Sequence, residues 1–286
     1  MKRILITGEN SYIGQNFKRW LQKFPQEYLV ETISVRGNSW KDKDFSQYDV
    51  VLHLAGIAHV SKNPKMEELY YEVNRDLTIS IANKAKLESV KQFIFMSSII
   101  VYGESKSTKK VITSQTLPVP SNFYGRSKLE AEEGIKLLES DDFIITIIRP
   151  PMIYGKNSKG NYPKLGRLAQ LTPVFPNFPN ERSMLHIDNL CEFIKLIIDN
   201  SDSGLYFPQN KEFVNTSKLV QEIGAYHKNN IRLTKIFNPL IRLFFKFPII
   251  SKIFGNLVYD KRLSDYHSNY QIKDFKETIR LTEGEI

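Results

Sequence analysis

Arg3-Ile4-Leu5-Ile6-Thr7-Gly8-Glu9-Asn10-Ser11-Tyr12-Ile13-Gly14 runs a short apolar stretch into a glycine turn and then into a helical period. Arg3 to Thr7 reads as a strand and Ile13 to Phe24 as a helix, with Ile, Phe and Leu recurring at three and four residues. Between them, Gly8 permits a tight turn and Gly14 permits close contact of helix with strand. The free amides at the helix start can hold a pyrophosphate. A pair of glycines says little alone, but one lying directly between the first strand and first helix predicts a dinucleotide site. Ser11 stands where a middle glycine is usual; it crowds the backbone approach, yet its hydroxyl can donate to phosphate.

Outward from this turn, short β-branched runs alternate with longer helical ones. The further strand candidates are Leu29 to Val35, Val50 to Leu54, Gln92 to Met96 and Phe143 to Arg149, nearly continuous in apolar residues as doubly buried strands are. Glu67 to Glu88 and Tyr124 to Glu139 read as helices. The pattern predicts an α/β fold, a doubly wound parallel sheet over residues 1–155. The second strand ends Ser34-Val35-Arg36, with a cation where a ribose-binding carboxylate would mark NAD. Arg36 therefore tilts the cofactor toward NADP(H), although a solvated loop arginine reads equally well there.

After Arg149 the texture changes. Pro150, Pro151, Pro163, Pro173, Pro176 and Pro179 punctuate a stretch rich in Asn and Lys, which reads as loops. A helix from Asp188 to Asp199, a strand from Gly204 to Phe207 and a helix from Ser217 follow. A smaller C-terminal α/β substrate domain is expected over 156–286, with elements free to interleave. The 286 residues, 41% hydrophobic and 12% aromatic, suffice for a sizeable core. No apolar run approaches the roughly 20 residues of a membrane span, and the start of the chain lacks a signal-peptide core, so a cytoplasmic location is expected. The one cysteine, Cys191, reads as a thiol packed on an amphipathic helix.

The formal charge is +9, and His227 to Arg262 supplies most of it, with eight Lys or Arg against Asp260 alone. Its bases alternate with Ile, Leu and Phe, and no helix-turn-helix, zinc-finger or RNA-binding signature accompanies them. An anionic small substrate accounts for the charge better than nucleic acid does. Residues 236–259 read first as a helical part of the substrate domain. Their aromatic residues, with Arg242, Lys246 and Lys252, also suit weak peripheral contact with an anionic membrane.

The chemistry is concentrated in Tyr124-Gly125-Arg126-Ser127-Lys128, which sets Tyr124 and Lys128 one turn apart on one helix face. A neighbouring ammonium and the positive nicotinamide ring both favour phenolate and are expected to lower the tyrosine pKa from its usual value of about 10. The strand ending Phe95-Met96-Ser97-Ser98 brings a hydroxyl to the carboxyl edge of the sheet, where ligands bind.

With these residues in place, the chain resembles the extended short-chain dehydrogenase/reductase superfamily, in its NAD-dependent epimerase/dehydratase branch. The resemblance covers nearly the whole chain. It rests on Thr7-Gly8 to Gly14, His53-Leu54-Ala55-Gly56, Asn74, Ser97-Ser98-Ile99-Ile100-Val101-Tyr102-Gly103, Tyr124 to Lys128, Arg149-Pro150-Pro151-Met152-Ile153-Tyr154-Gly155 and Arg182-Ser183-Met184-Leu185-His186-Ile187-Asp188-Asn189-Leu190. It implies a Rossmann domain, with Tyr124 as acid/base, Lys128 on the nicotinamide ribose and Ser98 on the reacting sugar oxygen. It also implies cofactor contacts at Gly8, Asn10, Ser11, Tyr12, Ile13 and Gly14, and at Arg36, Leu54, Ala55, Gly56, Asn74 and Pro151. Asn161 and Arg182 would meet the nucleotide diphosphate, where a planar guanidinium pairs two phosphate oxygens. Met152 stands where many epimerases place an asparagine on the substrate. His186 reads as structural, beside the Asp188 helix start, and His59, His227 and His267 receive no role. A homodimer through two helices is common among such proteins.

Dehydratases of this kind carry Asp-Glu after the catalytic hydroxyl, and Ile99-Ile100 here cannot exchange protons. What remains is hydride transfer at a sugar carbon, most often C4, and the chain's resemblance to reductases and epimerases that make UDP-N-acetylated sugars for surface polysaccharides implies a UDP-(N-acetyl)hexose as substrate. The reading leans to a 4-ketoreductase because the ribose acid is missing. A UDP-glucose or UDP-N-acetylglucosamine 4-epimerase is the alternative, and a non-catalytic NAD(P)-sensing regulator is opposed by the joint presence of Ser98, Tyr124 and Lys128.

Overall fold

The computed structural model describes residues 1–58, 63–104 and 110–284. In chain order the strands are β1 (Lys2–Thr7), β2 (Tyr28–Ile33), β3 (Val50–His53), β4 (Gln92–Met96), β5 (Val111–Ile112), β6 (Ile144–Ile148), β7 (Met152–Tyr154), β8 (Val174–Pro176), β9 (Met184–His186), β10 (Gly204–Tyr206), β11 (Arg232–Thr234) and β12 (Val258–Tyr259). The α-helices are α1 (Tyr12–Leu21), α2 (Glu67–Tyr71), α3 (Leu77–Leu87), α4 (Phe123–Lys136), α5 (Tyr162–Leu171), α6 (Ile187–Asn200), α7 (Thr216–Tyr226), α8 (Asn238–Leu243), α9 (Pro248–Phe254) and α10 (Phe275–Glu283).

Two compact units share the chain. The first takes residues 1–103, 117–150 and 190–208, and the second takes the described residues within 104–116, 151–189 and 209–286. A single cut after residue 155 does not describe this division. Residues 190–208 return to the first unit because β10 pairs with β6 and completes its sheet, a pairing that carries no local sequence signal.

The first unit is a six-stranded parallel sheet in the order β10-β6-β4-β3-β1-β2. Strands β3 and β4 are buried at every position, which their apolar sequences require of a parallel sheet covered on both faces. On one face Leu5, Val51, Phe93 and Ile147 join Ile81 and Ala85 of α3 and Ala131 and Ile135 of α4 in one core. Alternation sends Ile4, Ile6, Leu52 and Ile94 to the other face. Gly14 brings α1 so close there that a Cβ on it would lie 3.2 Å from Ile6 Cγ2. The sheet is thus doubly wound. The chain leaves β1 for β2 on one side and returns to β3 on the other, which opens a crevice beyond the carboxyl ends of β1 and β3.

Two local expectations change. The helix expected over 67–88 is divided, with a π-helical turn at Glu72–Asp76 between α2 and α3. The proline-rich stretch expected as loops contains α5 and β8. Pro163 lies in the first turn of α5, where its missing N–H has no helical partner to lose. The second unit packs three two-stranded parallel sheets, β7 with β9, β8 with β11 and β5 with β12. Its core gathers Tyr154, Phe175, Phe178, Val220, Ile241 and Phe254. Cys191 is buried on α6.

Two buried polar clusters tie the first unit together. Arg149, just past β6, donates Nε to Glu132 Oε1 of α4 at 3.0 Å and Nη1 to the Tyr102 hydroxyl at 2.6 Å. Ser97, just past β4, donates to the same Glu132 carboxylate. His53 of β3 meets Thr7 Oγ1 at 2.7 Å through Nδ1 and Thr78 Oγ1 at 3.0 Å through Nε2. Burial holds its pKa down at about 3, with the Lys128 charge adding in the same direction.

Removing one partner of the ion pair leaves the other charge buried, so Glu132→Ala is expected to cost about 3–5 kcal/mol in urea unfolding. The double variant Glu132→Leu/Arg149→Met is expected to recover most of that loss, and an equal loss in the double would contradict the account. His53 carries a second consequence. Its folded pKa lies below the ordinary 6.5, so its contribution is present above 6.5 and is lost as pH falls toward 3. The thermal midpoint is expected to drop between pH 7 and pH 4.5, with a smaller slope in His53→Gln.

Candidate active site

The turn after β1 has the geometry of an anion cradle. Gly8 has φ +90°, and a Cβ on it would lie 2.9 Å from the Ala55 nitrogen, so only glycine fits against the chain leaving β3. Ser11 caps α1, its Oγ accepting from Gly14 N at 3.0 Å. That bond occupies a lone pair and leaves the hydroxyl proton to donate. Asn10 is exposed at the tip of the turn, while Tyr12 and Ile13 are half-buried in the first turn of α1. Leu54, Ala55 and Gly56 follow β3 on the other side of the crevice. Gly56 is exposed, and a Cβ there would lie 3.0 Å from Asn74 Oδ1 and 3.2 Å from Lys128 Nζ. Arg36 is exposed three residues past the end of β2, and among the described residues no carboxylate pairs with it.

Ser98 and Tyr124 come together because two segments meet backbone to backbone. Gly125, in the first turn of α4, lies so close to the turn at Ile99–Tyr102 that a Cβ would be 2.8 Å from the Ile100 carbonyl oxygen. Asn122 fixes that helix start, its side chain accepting from Gly125 N at 2.9 Å. Asn immediately before the helical period is a cap signal available in the sequence. Ser98 Oγ accepts from Ile100 N at 3.3 Å, and the Ser98 side chain lies near enough to the Tyr124 phenol to pull its pKa down. Tyr70 meets the Tyr124 ring edge-on at 5.9 Å.

Lys128 is buried one turn along α4 and donates from Nζ to the Met96 carbonyl at 3.0 Å, with the Phe95 ring 4.5 Å away. Burial brings its pKa down to about 8, against an opposing pull from Glu132. In the chain by itself, without the nicotinamide charge that the expectation includes, burial pushes the Tyr124 pKa up to about 12, and the nearby Ser98 side chain offsets this only in part. The physical reason is that desolvation of the phenolate outweighs the stabilisation offered to it, and Lys128 is not among the groups that move it. Asn74, placed by the π-helical turn and fully buried, accepts from Ile57 N at 2.8 Å and donates to Ile57 O and to Ser127 Oγ. It holds the strand-to-loop exit beside Gly56. The Ser97, Glu132, Arg149 and Tyr102 cluster behind Ser98 escaped sequence reading, because its hydrogen bonds join residues 17 to 47 positions apart.

The remaining expected residues belong to the second unit. Pro151 is buried, and Met152 is half-buried in β7 opposite Met184 of β9. Asn161 is exposed at the start of α5, and its amide makes no capping bond. Arg182 donates from Nη1 to the carbonyls of Lys252 and Gly255 at 2.9 and 3.0 Å. Burial lowers its pKa to about 10, and among the described residues no carboxylate pairs with it. A desolvated guanidinium without a counter-ion suits an anionic ligand. A cleft of about 920 Å³ in this unit is lined by Phe178, Asn180, Phe213, Lys218 and Arg242, and none of the expected substrate residues lines it. His186 Nδ1 accepts from Asp188 N at 3.2 Å at the start of α6, a structural contact. His59 lies outside the described residues, which contain no cluster of three or more potential metal ligands among His, Cys, Asp and Glu.

Residues 4–207 match the NAD-dependent epimerase/dehydratase family. A UDP-glucose 4-epimerase of Vibrio cholerae is 31% identical, aligned to 91% of this chain and 87% of that one. An N-acetyl-alpha-D-glucosaminyl-diphospho-ditrans,octacis-undecaprenol 4-epimerase of Escherichia coli O157:H7 is 30% identical over 88% of this chain and 77% of its own. In fold, the chain is similar to a dTDP-4-dehydrorhamnose reductase from Clostridium acetobutylicum, with TM-score 0.75 and 19% identity over 98% of each chain. It is also similar to a UDP-glucuronic acid 4-epimerase from Bacillus cereus in complex with NAD, with TM-score 0.73 and 18% identity over 99% of this chain and 97% of that one. A doubly wound sheet with a glycine turn at its switch point, and a family match across most of the chain, place this protein in the NAD-dependent epimerase/dehydratase family of enzymes.

Proposed function

We propose that this enzyme inverts C4 of a UDP-linked hexose or N-acetylhexose used for surface polysaccharide. The observation that carries the reading is that the close approach of Gly125 to the turn after Ser98 brings Ser98 and Tyr124 together, with the buried Lys128 one helical turn along. Two relatives aligned over most of their length are 4-epimerases, whereas the reductases are alike in fold alone. A bound nicotinamide dinucleotide supplies a hydride acceptor and donor. The chain supplies the rest. The glycine turn and the start of α1 hold the pyrophosphate, and Lys128 and Asn74 shape the inner end of the crevice. Ser98 orients the sugar O4, and Tyr124 takes its proton as the C4–H bond breaks. The same phenol returns a proton when hydride is restored to the opposite face of the 4-keto sugar. A phenol held near 12 keeps its proton at neutral pH, so it begins as a donor, and removal of the O4 proton requires phenolate to be favoured by positive charge in the loaded site. Arg182 and Asn161 of the second unit are the proposed contacts of the diphosphate.

One observation favours a second reading, the single reduction of a 4-keto sugar. Arg36 is exposed past β2, and among the described residues no carboxylate pairs with it; it suits the 2′-phosphate of NADP(H).

Replacing Tyr124 by Phe is expected to depress turnover about a hundredfold or more while cofactor affinity stays nearly intact, and Lys128→Ala is expected to harm both. C4 inversion of a UDP-N-acetylhexosamine with trace dinucleotide, followed by NMR, reads the epimerase. Stoichiometric NADPH loss with a UDP-4-keto-6-deoxy-N-acetylhexosamine reads the reductase. Full activity of Tyr124→Phe in whichever assay succeeds sinks the assignment. Titration with both cofactors tests Arg36: tighter NADP(H) binding is expected, reversed by Arg36→Asp, and equal or tighter NAD binding by the native chain refutes the preference.

A further inference from the structure

The structure points to a surface outside the crevice. We propose that the outward face of residues 235–249, around α8 and the start of α9, docks on an anionic lipid bilayer. The inference goes beyond the epimerase reading and does not depend on it.

This segment faces two ways. Ile241 and Phe254 belong to the core of the second unit, and Phe245, Ile250 and Ile253 pack against that core. The residues between them point outward: Ile236 is 81% exposed, Leu243 73%, Ile249 66% and Phe247 58%. Phe237, Leu240 and Phe244 extend the patch, and the Phe244 and Phe247 rings stand 5.7 Å apart. The short helices are therefore seated on the core by one side while their outer apolar side chains stand exposed. A surface of this kind marks an interaction site.

Charge identifies what it meets. No acid occurs from Lys228 to Tyr259. Lys235, Arg242 and Lys246 are exposed, and among the described residues none lies within ion-pair distance of a carboxylate. Lys252, on the inner side, pairs instead with Glu104 at 2.7 Å. A second copy of the chain would bring the same three cations face to face across a two-fold axis, with no acid between them. A bilayer rich in anionic lipid satisfies both halves of the surface. Phe and aliphatic side chains enter the region between headgroups and acyl chains, and the lysine and arginine heads remain among the phosphates. Among the described residues no helix is long and apolar enough to cross a membrane, so the contact is peripheral. It has a consequence within the same unit. The Lys252 and Gly255 carbonyls at the end of α9 hold Arg182, so the docking element and the proposed diphosphate contact are packed together.

Vesicle flotation of the full chain, without substrate or cofactor, tests this directly. Vesicles of phosphatidylglycerol with phosphatidylcholine are expected to carry the protein at about 50 mM salt and release it at about 500 mM, and pure phosphatidylcholine is expected to retain little. Lys235→Gln/Lys246→Gln is expected to weaken partitioning on the order of fivefold for each cation removed. Leu243→Ser/Phe247→Ser is expected to abolish flotation while the thermal midpoint stays unchanged. Failure of the native chain to float on anionic vesicles at low salt overturns the proposal, as does binding indifferent to both pairs of substitutions. A concentration-dependent dimer, lost in Leu243→Ser/Phe247→Ser, would assign the face to self-association and overturn it equally.

Discussion

The buried contact between Arg149 and Glu132 is the constraint on which the candidate active site depends. Both side chains are almost wholly shielded from water, and a charge pair in that setting is tolerated only when its remaining hydrogen-bonding positions are filled. Ser97 and Tyr102 fill them. Four segments are thereby locked: the end of β4, the turn after Ser98, the middle of α4 and the end of β6. Ser98 follows Ser97 directly, and Lys128 lies one turn before Glu132. Positions on which hydride chemistry would rely are set by a cluster that need not touch substrate.

Packing does the rest of the positioning, and it does so through absent side chains. Gly8, Gly14, Gly56 and Gly125 each stand where a Cβ would meet another atom at 3.2 Å or less. At these points the turn after β1 approaches the exit of β3, α1 approaches β1, and α4 approaches the Ser98 turn. The crevice between β1 and β3 is correspondingly narrow and lined by backbone, a surface suited to a dinucleotide. The same closeness desolvates Lys128 and Tyr124, which moves their pKa values apart and reverses their usual order: the lysine falls to about 8 and the tyrosine rises to about 12.

The second unit divides its charge differently. Arg182 is desolvated and held by carbonyls. Lys235, Arg242 and Lys246 are exposed beside exposed apolar residues. The first setting suits a small anion at short range and the second suits a charged surface.

Much of the first unit was readable from the chain because its signals are local. A parallel strand buried on two faces must be apolar along its length, a helix must repeat at three and four residues, and a turn that admits no Cβ must be glycine. Those requirements placed β1, β3, β4, α1 and α4 within three residues of their observed ends, and put Tyr124 and Lys128 on one face. The proline-rich region misled because proline is compatible with a first helical turn as well as with a loop, so α5 was hidden. Other features belong to the tertiary structure alone: the return of residues 190–208 to the first unit, the pairing of Glu132 with Arg149, and the raised pKa of Tyr124. Each depends on which atoms surround a group once the chain is packed, and desolvation, unlike helical period, is not a property of neighbouring residues in sequence.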